Sequence, residues 1–279
     1  MSSIYGNHIE SVEMVASAGG QIPAEWTRIR EAYETKYEYR QDDFTFRLVE
    51  AIVDAESSDT DVSELRAITL ADAVSSVQGT QGGNAYGTAS GLLDETVRRS
   101  IAGKLINVYN KVADANLRVV AKAFDIEWNR FTELAVKVDP EIVSDKLVGR
   151  PMDIQTAWLE IAEVSKRLDI LLSVLGEAYN LASTVARIVN DDSRLGLVLA
   201  PTAVGKERKA VWDAWSATGN RCGRWSALLA LGETVKAVAA PKDYKTYGEY
   251  IGTVEKHEPV QYGMRAYRVD AETGKRVDG

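Results

Sequence analysis

The stretch 93-LDETVRRSIAGKLINVYNKV-112 decides how the rest of the chain is read. Leu93, Val97, Ile101, Leu105, Val108 and Val112 recur at steps of four, four, four, three and four residues. That spacing keeps one apolar stripe along a helix of 3.6 residues per turn, whereas a strand would scatter the same residues over both faces. Val119, Ala123, Phe124, Trp128 and Phe131 continue a comparable stripe, and no proline intervenes between Pro23 and Pro140. The spacing predicts helix from about 89 to 137, roughly 75 Å at 1.5 Å per residue. Gly103 leaves two versions open: a helix kinked there, or two helices in series.

Working outward, Pro151 to Pro201 is again free of proline and carries Ile154, Trp158, Ile161, Leu168, Leu171, Leu172 and Leu175. Two amphipathic segments joined by a short link pack most simply as an antiparallel pair. Upstream, residues 7–18 read as a helix capped by Asn7 and ended by Gly19-Gly20. Pro23 fits the first position of a helix over 24–56, bearing Trp26, Ile29, Tyr33, Tyr37, Phe44, Leu48 and Ile52. Thr60 or Asp61 caps a third over 62–78. The segment 79-GTQGGNAYGTASG-91 holds five glycines and reads as a loop or hinge.

The last part of the chain is broken into shorter pieces. The run 195-LGLVLA-200 suggests a strand, 206–216 and 223–238 suggest helices, and 266–279 suggests two short strands around Glu272-Thr273-Gly274. The expected fold is therefore mainly α: an elongated helical bundle with long amphipathic helices and a smaller mixed C-terminal region with a β-hairpin. Three regions follow: 1–87, acidic and helical, ending in the glycine-rich loop; 88–190, the long-helix bundle; and 191–279, mixed α/β.

Composition narrows the function classes. The 279 residues are 45% hydrophobic and 27% charged, which suits a globular chain with a sizeable core. The net charge of −8 argues against general coating of nucleic acid or anionic membrane. The imbalance sits in residues 1–63, with 13 acidic against five basic side chains; the remainder holds 28 of each. Such a segment is a solvated face, or it keeps an assembling protein soluble or meets a basic partner. A single cysteine, Cys222, permits no intrachain disulfide and fits a reducing compartment. The opening MSSIYGNHIESVEM has no basic and apolar leader pattern, and no apolar run reaches the ~18 residues of a membrane span. A cytoplasmic location is expected, or the virion if the chain is phage-encoded.

Chemistry-bearing motifs are sparse. The segment 200-APTAVGKE-207 has the Gly-Lys pair and spacing of a phosphate-binding loop. Ala200 replaces the first glycine, however, and Glu207 stands where a hydroxyl would hold Mg²⁺ and would repel phosphate. Cys222 lies near Arg221 and Arg224, which favour a thiolate, yet no base adjoins it in sequence, so a packed thiol is expected. Glu31, Glu34 and Glu38 share a helix face, but His8 and His257 do not form the Glu-x-x-His pairs of a metal bundle. No cofactor, metal or enzymatic activity is expected.

Residues 194–225 are locally basic, with Arg194, Lys206, Arg208, Lys209, Arg221 and Arg224 against Glu207 and Asp213. Trp212, Trp215 and Trp225 are interleaved. Arg194, Lys206, Arg208, Lys209, Arg221, Arg224 and Trp225 are candidates for a protein interface or for nucleic-acid contact by ion pairing and stacking. Trp212 and Trp215, three apart, fit a core or subunit interface better. Tyr244, Tyr247 and Tyr250 form a further candidate interface stripe.

The Ala/Val/Asp-rich helices, single cysteine, two histidines and polar tail 266-AYRVDAETGKRVDG-279 resemble in texture the helical structural proteins of bacteriophages from actinobacterial hosts. The resemblance implies a virion or assembly component and assigns no residue roles. The expected function is a non-catalytic structural or assembly protein that self-associates or joins a larger complex. The alternative is a nucleic-acid-binding protein using 194–225.

Overall fold

A computed structural model describes residues 4–35, 78–81, 84–184, 187–201, 206–248, 252–260, 263–271 and 273–277. The fold is mainly helical, with a long helix pair and a C-terminal antiparallel hairpin. The described helices are α1 (Ile4–Ser17), α2 (Ala24–Tyr33), α3 (Ala89–Lys137), α4 (Met152–Ala182), α5 (Asp191–Val198), α6 (Lys206–Trp215) and α7 (Gly223–Ala230). The strands are β1 (Gln78–Gln81), β2 (Asn84–Thr88), β3 (Thr253–Val260) and β4 (Gly263–Asp270). Two compact units form, one from the described parts of Met1–Glu10 and Ile22–Val112, the other from Ser11–Gln21 and Ala113–Gly279.

In the first unit, α1 begins three residues before the expected Asn7 cap. Pro23 precedes α2 in extended conformation, one position ahead of its expected place. The aromatic residues of both helices meet here. Tyr5 and Tyr33 pack edge to face at 4.9 Å, and the Trp26 Nε1–H donates to His8 Nε2 at 3.2 Å. The Tyr109 ring stands edge-on to His8 at 5.9 Å; of the stripe, Leu105 and Val108 are buried and Ile101 and Val112 half-buried, while Ala102 rather than Ile101 is buried at that turn. The continuation of the expected 24–56 helix beyond residue 35, and residues 62–77 of the expected 62–78 helix, lie outside the described residues; Gln78, the expected end of that helix, is strand.

The glycine-rich segment is not a loop. β1 and β2 pair antiparallel, with Gln78 opposite Thr88 and Gln81 opposite Asn84. Main-chain hydrogen bonds need no apolar face, so polar composition alone does not exclude a ribbon. Two residues, Gly82-Gly83 in the sequence, separate the strands, a pair that short hairpin loops favour. α3 then runs as one continuous helix from Ala89 to Lys137 with Gly103 inside it, so the version with two helices in series does not hold.

In the second unit, the 113–137 part of α3 pairs with α4. Arg130 bonds to Glu160 and Arg167 to Glu127, so the two helices run antiparallel. Leu117, Val120, Phe124, Phe131, Ile161, Val164, Leu168 and Leu175 form one core. The sequence stripe is off by one residue at Val119, which is exposed while Val120 is buried. α1 ends at Gly19, whose φ of 94° is left-handed, as a helix-terminating glycine requires. Asn116 then grips Gln21 twice, accepting from its N–H and donating to its carbonyl, both at 2.8 Å.

The expected strand at 195–200 is a helix for most of its length. Asn190 accepts from the Ser193 N–H at 2.9 Å, while the Ser193 hydroxyl accepts from the Asn190 N–H, a reciprocal cap that starts α5. Leu195, Gly196, Leu197 and Val198 are all buried, so burial on every side gives a continuous apolar run that imitates a buried strand. Only Leu199 enters an extended pairing, with Val235. The expected 223–238 helix stops at Ala230; from Val235 the chain is extended, and the N–H groups of Lys236 and Val238 donate to Val198 and Leu197.

The main C-terminal hairpin is β3–β4, running from Thr253–Asp270 to Val260–Gly263, rather than one centred on 272–274. The expected turn does occur as an appendage. Asp270 accepts from the Thr273 N–H and hydroxyl, Gly274 has φ 65°, and Val269 bridges Arg276.

Candidate functional site

The basic and aromatic residues of 194–225 are largely drawn into the second unit's interior. Trp225 is fully buried, its ring against Phe124, Trp128 and Trp215 at 5.6, 6.1 and 6.2 Å, and its Nε1–H donates to Asp169 at 3.1 Å. It offers no face on which a base could stack. The Arg224 side chain is 14% exposed, lies 4.3 Å over Trp215 and pairs with Asp191 at 2.7 Å. Burial raises the Asp169 pKa, against the opposing pull of Arg224 and the Trp225 bond.

Arg221 is equally committed. Its guanidinium stacks on Trp158 at 3.7 Å and donates to the carbonyls of Pro140, at 3.1 Å, and Trp158. The Glu141 carboxylate accepts from the N–H groups of Arg221 and Cys222 at 2.7 and 3.0 Å. Burial works against that carboxylate, yet the Ser226, Cys222 and Arg221 hydrogen bonds and the Arg221 charge outweigh it and hold its pKa below the usual range. Cys222 is buried, and desolvation pushes its thiol up to about 11 despite the nearby Arg221 charge. The basic neighbours noted in the sequence therefore do not make a thiolate.

The other sequence candidates scatter. Arg194 lies against Gly176; Lys206 opens α6; Arg208 sits 5.9 Å over the Tyr247 ring; Lys209 pairs with Asp213 on the same helix. Tyr244 donates to the Ser193 carbonyl at 3.1 Å and packs on Tyr179, while Tyr247 is buried against Trp212, so these two are core contacts. Tyr250 lies outside the described residues. The phosphate-loop reading also loses its context, because a helix, α5, precedes Ala200 where such a loop needs a strand. Among the described residues no group of three or more His, Cys, Asp or Glu side chains converges as metal ligands, and Glu34 is paired with Arg30 at 2.8 Å.

What the sequence did not single out is the elbow between α3 and α4. A 3₁₀ turn, Ser144–Leu147, leads into α4, and a groove of about 260 Å³ opens there, lined by Ser144, Leu147, Val148, Gln155, Trp158 and Leu159. Its surroundings are apolar but wet: Val143 is 58% exposed, Val148 86%, Met152 75% and Leu159 62%. Met152, Gln155 and Leu159 share one face of α4 by their spacing. The groove is firmly built. Trp158 Nε1–H donates to the Ile142 carbonyl at 2.9 Å, Gln155 donates to the Arg150 carbonyl at 2.7 Å, and Arg221 stacks on the Trp158 ring. A sequence signal existed, because Val143, Val148 and Met152 are large apolar residues outside the α4 stripe. A larger open groove of about 700 Å³ lies between 196–201, 232–239, Asp243 and Lys245.

Among the described residues no helix is long and apolar enough to cross a membrane. No protein-family model, curated protein or solved structure matches the chain.

Proposed function

We propose that this protein is a non-catalytic structural or assembly component that self-associates or joins a larger complex. The observation that carries the reading is the apolar surface of the long helix pair: Val119 and Ile126 on α3, and Met152, Leu159 and Ile170 on α4, all stand in water. By their spacing Met152, Leu159 and Ile170 share one face of α4, and Val119 and Ile126 one face of α3, and apolar helix faces left in water suit contact with other proteins. The residues best suited to gripping nucleic acid, Arg221, Arg224 and Trp225, are engaged inside the fold, so the nucleic-acid alternative gains no support. The textural resemblance to phage structural proteins points the same way, and a virion component is one version of this reading.

The test is the native mass, measured by light scattering coupled to size exclusion at low and high salt. The chain mass is 30.6 kDa. A defined multiple of that mass is expected. A monomer at every salt and protein concentration overturns self-association and leaves a hetero-complex subunit.

A further inference from the structure

We infer that the elbow groove is an isologous interface, whose occupant is the same elbow of a second copy of this chain; this rests on the assembly reading above. Three features converge on it. The first is shape: exposed Val148 and Leu159 line the groove, and exposed Met152 lies one turn before Gln155 on the same α4 face, so one surface carries a hollow and apolar side chains that a second copy can offer it. A two-fold contact requires such self-complementarity, since each patch meets itself.

The second is charge. The exposed segment 143–153 carries Asp145, Lys146, Arg150 and Asp153, two acids and two bases. Among the described residues none of the four belongs to an ion pair, and Asp145 accepts only a 3.4 Å hydrogen bond from Ser144. Each copy therefore brings both signs, and Lys146 and Arg150 of one can face Asp145 and Asp153 of the other. The chain as a whole carries −8, so two copies repel in most orientations. A locally neutral apolar patch is where that repulsion is least, and like charges set opposite each other are penalised elsewhere.

The third is rigidity. The Trp158 ring and the 148–151 corner are fixed by the Ile142, Arg150 and Arg221 contacts before any partner arrives. Little ordering cost remains for association.

The experiment uses the full chain and two charge variants. One carries Asp145→Lys and Asp153→Lys, giving an all-basic elbow; the other carries Lys146→Glu and Arg150→Glu, giving an all-acidic one. All four positions are exposed, so folding is checked simply by circular dichroism. Each variant alone should dissociate at concentrations at least tenfold above wild type, and mixing the two should restore the dimeric contact. If wild type assembles but either variant alone does so equally well, or if the mixture fails to recover, the elbow is not the interface and the assembly reading stands. If wild type is itself 30.6 kDa throughout, self-association and the elbow fall together. Leu159→Glu gives an independent check: it should dissociate the wild-type oligomer, whereas Val189→Glu, at an exposed apolar site outside the elbow, should not.

Discussion

His8 shows how one side chain records its surroundings. It is buried between Trp26, Tyr109 and the Leu105 main chain, and desolvation lowers its pKa to about 4. The folded state therefore prefers neutral imidazole. Between pH 4 and 6.5 the unfolded chain binds a proton that the folded chain refuses, so stability falls as the pH drops through that window. The contribution is up to about 3 kcal/mol, fully present above pH 6.5. Urea unfolding of wild type and His8→Phe at pH 7 and pH 4.5 checks it: the wild type should lose more stability across the interval than the variant. Trp225 is a second residue-scale case. Trp225→Ala removes a fully buried ring from three aromatic neighbours and should cost about 3–5 kcal/mol. Cys222, with its thiol pushed up to about 11, should resist alkylation at pH 8 until the chain is unfolded.

At the scale of elements, local chemistry fixes ends and tertiary burial fixes type. The Asn190 cap predicts that Asn190→Ala weakens α5 by about 1 kcal/mol, read as a lower denaturation midpoint. Gly103 lies within α3, and among the described residues no atom beyond its own helix backbone comes within 4 Å of where a Cβ would stand, so Gly103→Ala should stabilise by up to about 1 kcal/mol. A functional hinge there would instead cost assembly when stiffened. The β3–β4 hairpin has an edge device of its own. The Arg268 carbonyl accepts from Val277, so that residue's main chain faces away from β3. By alternation along the register, Pro259 opposite Met264 also turns its donor-less nitrogen outward. A proline there blunts the edge against unwanted strand addition. Pro259→Val should increase aggregation without lowering the melting temperature.

At the scale of the whole molecule, mass and assembly are the quantities that matter, and the charge distribution shapes both. The excess of acidic groups in residues 1–63 sets the net charge of −8, while the remainder is balanced. Raising salt screens the resulting repulsion over about 8–10 Å, so association through an apolar elbow should tighten between low and physiological ionic strength. Association held mainly by its flanking ion pairs would weaken instead. Sedimentation at two salt concentrations distinguishes them by the sign of the change.

The sequence by itself determined the helical character, because 3.6-residue periodicity between distant prolines needs no tertiary knowledge to be read. It also determined the weakness of the phosphate-loop motif, because Ala200 and Glu207 are chemically wrong wherever they sit. Only the tertiary structure decided that 195–198 is helix, since a run buried on all sides has lost the periodicity that distinguishes the two. It alone decided that Arg221, Arg224 and Trp225 face inward: an arginine next to tryptophan reads the same whether its partners are phosphates in solvent or carbonyls 63 to 81 positions away. The elbow groove belongs to the same class. Its walls come from a 3₁₀ turn and a helix face that are merely adjacent in sequence, and their apolar residues become a surface only once α3 and α4 have taken the core.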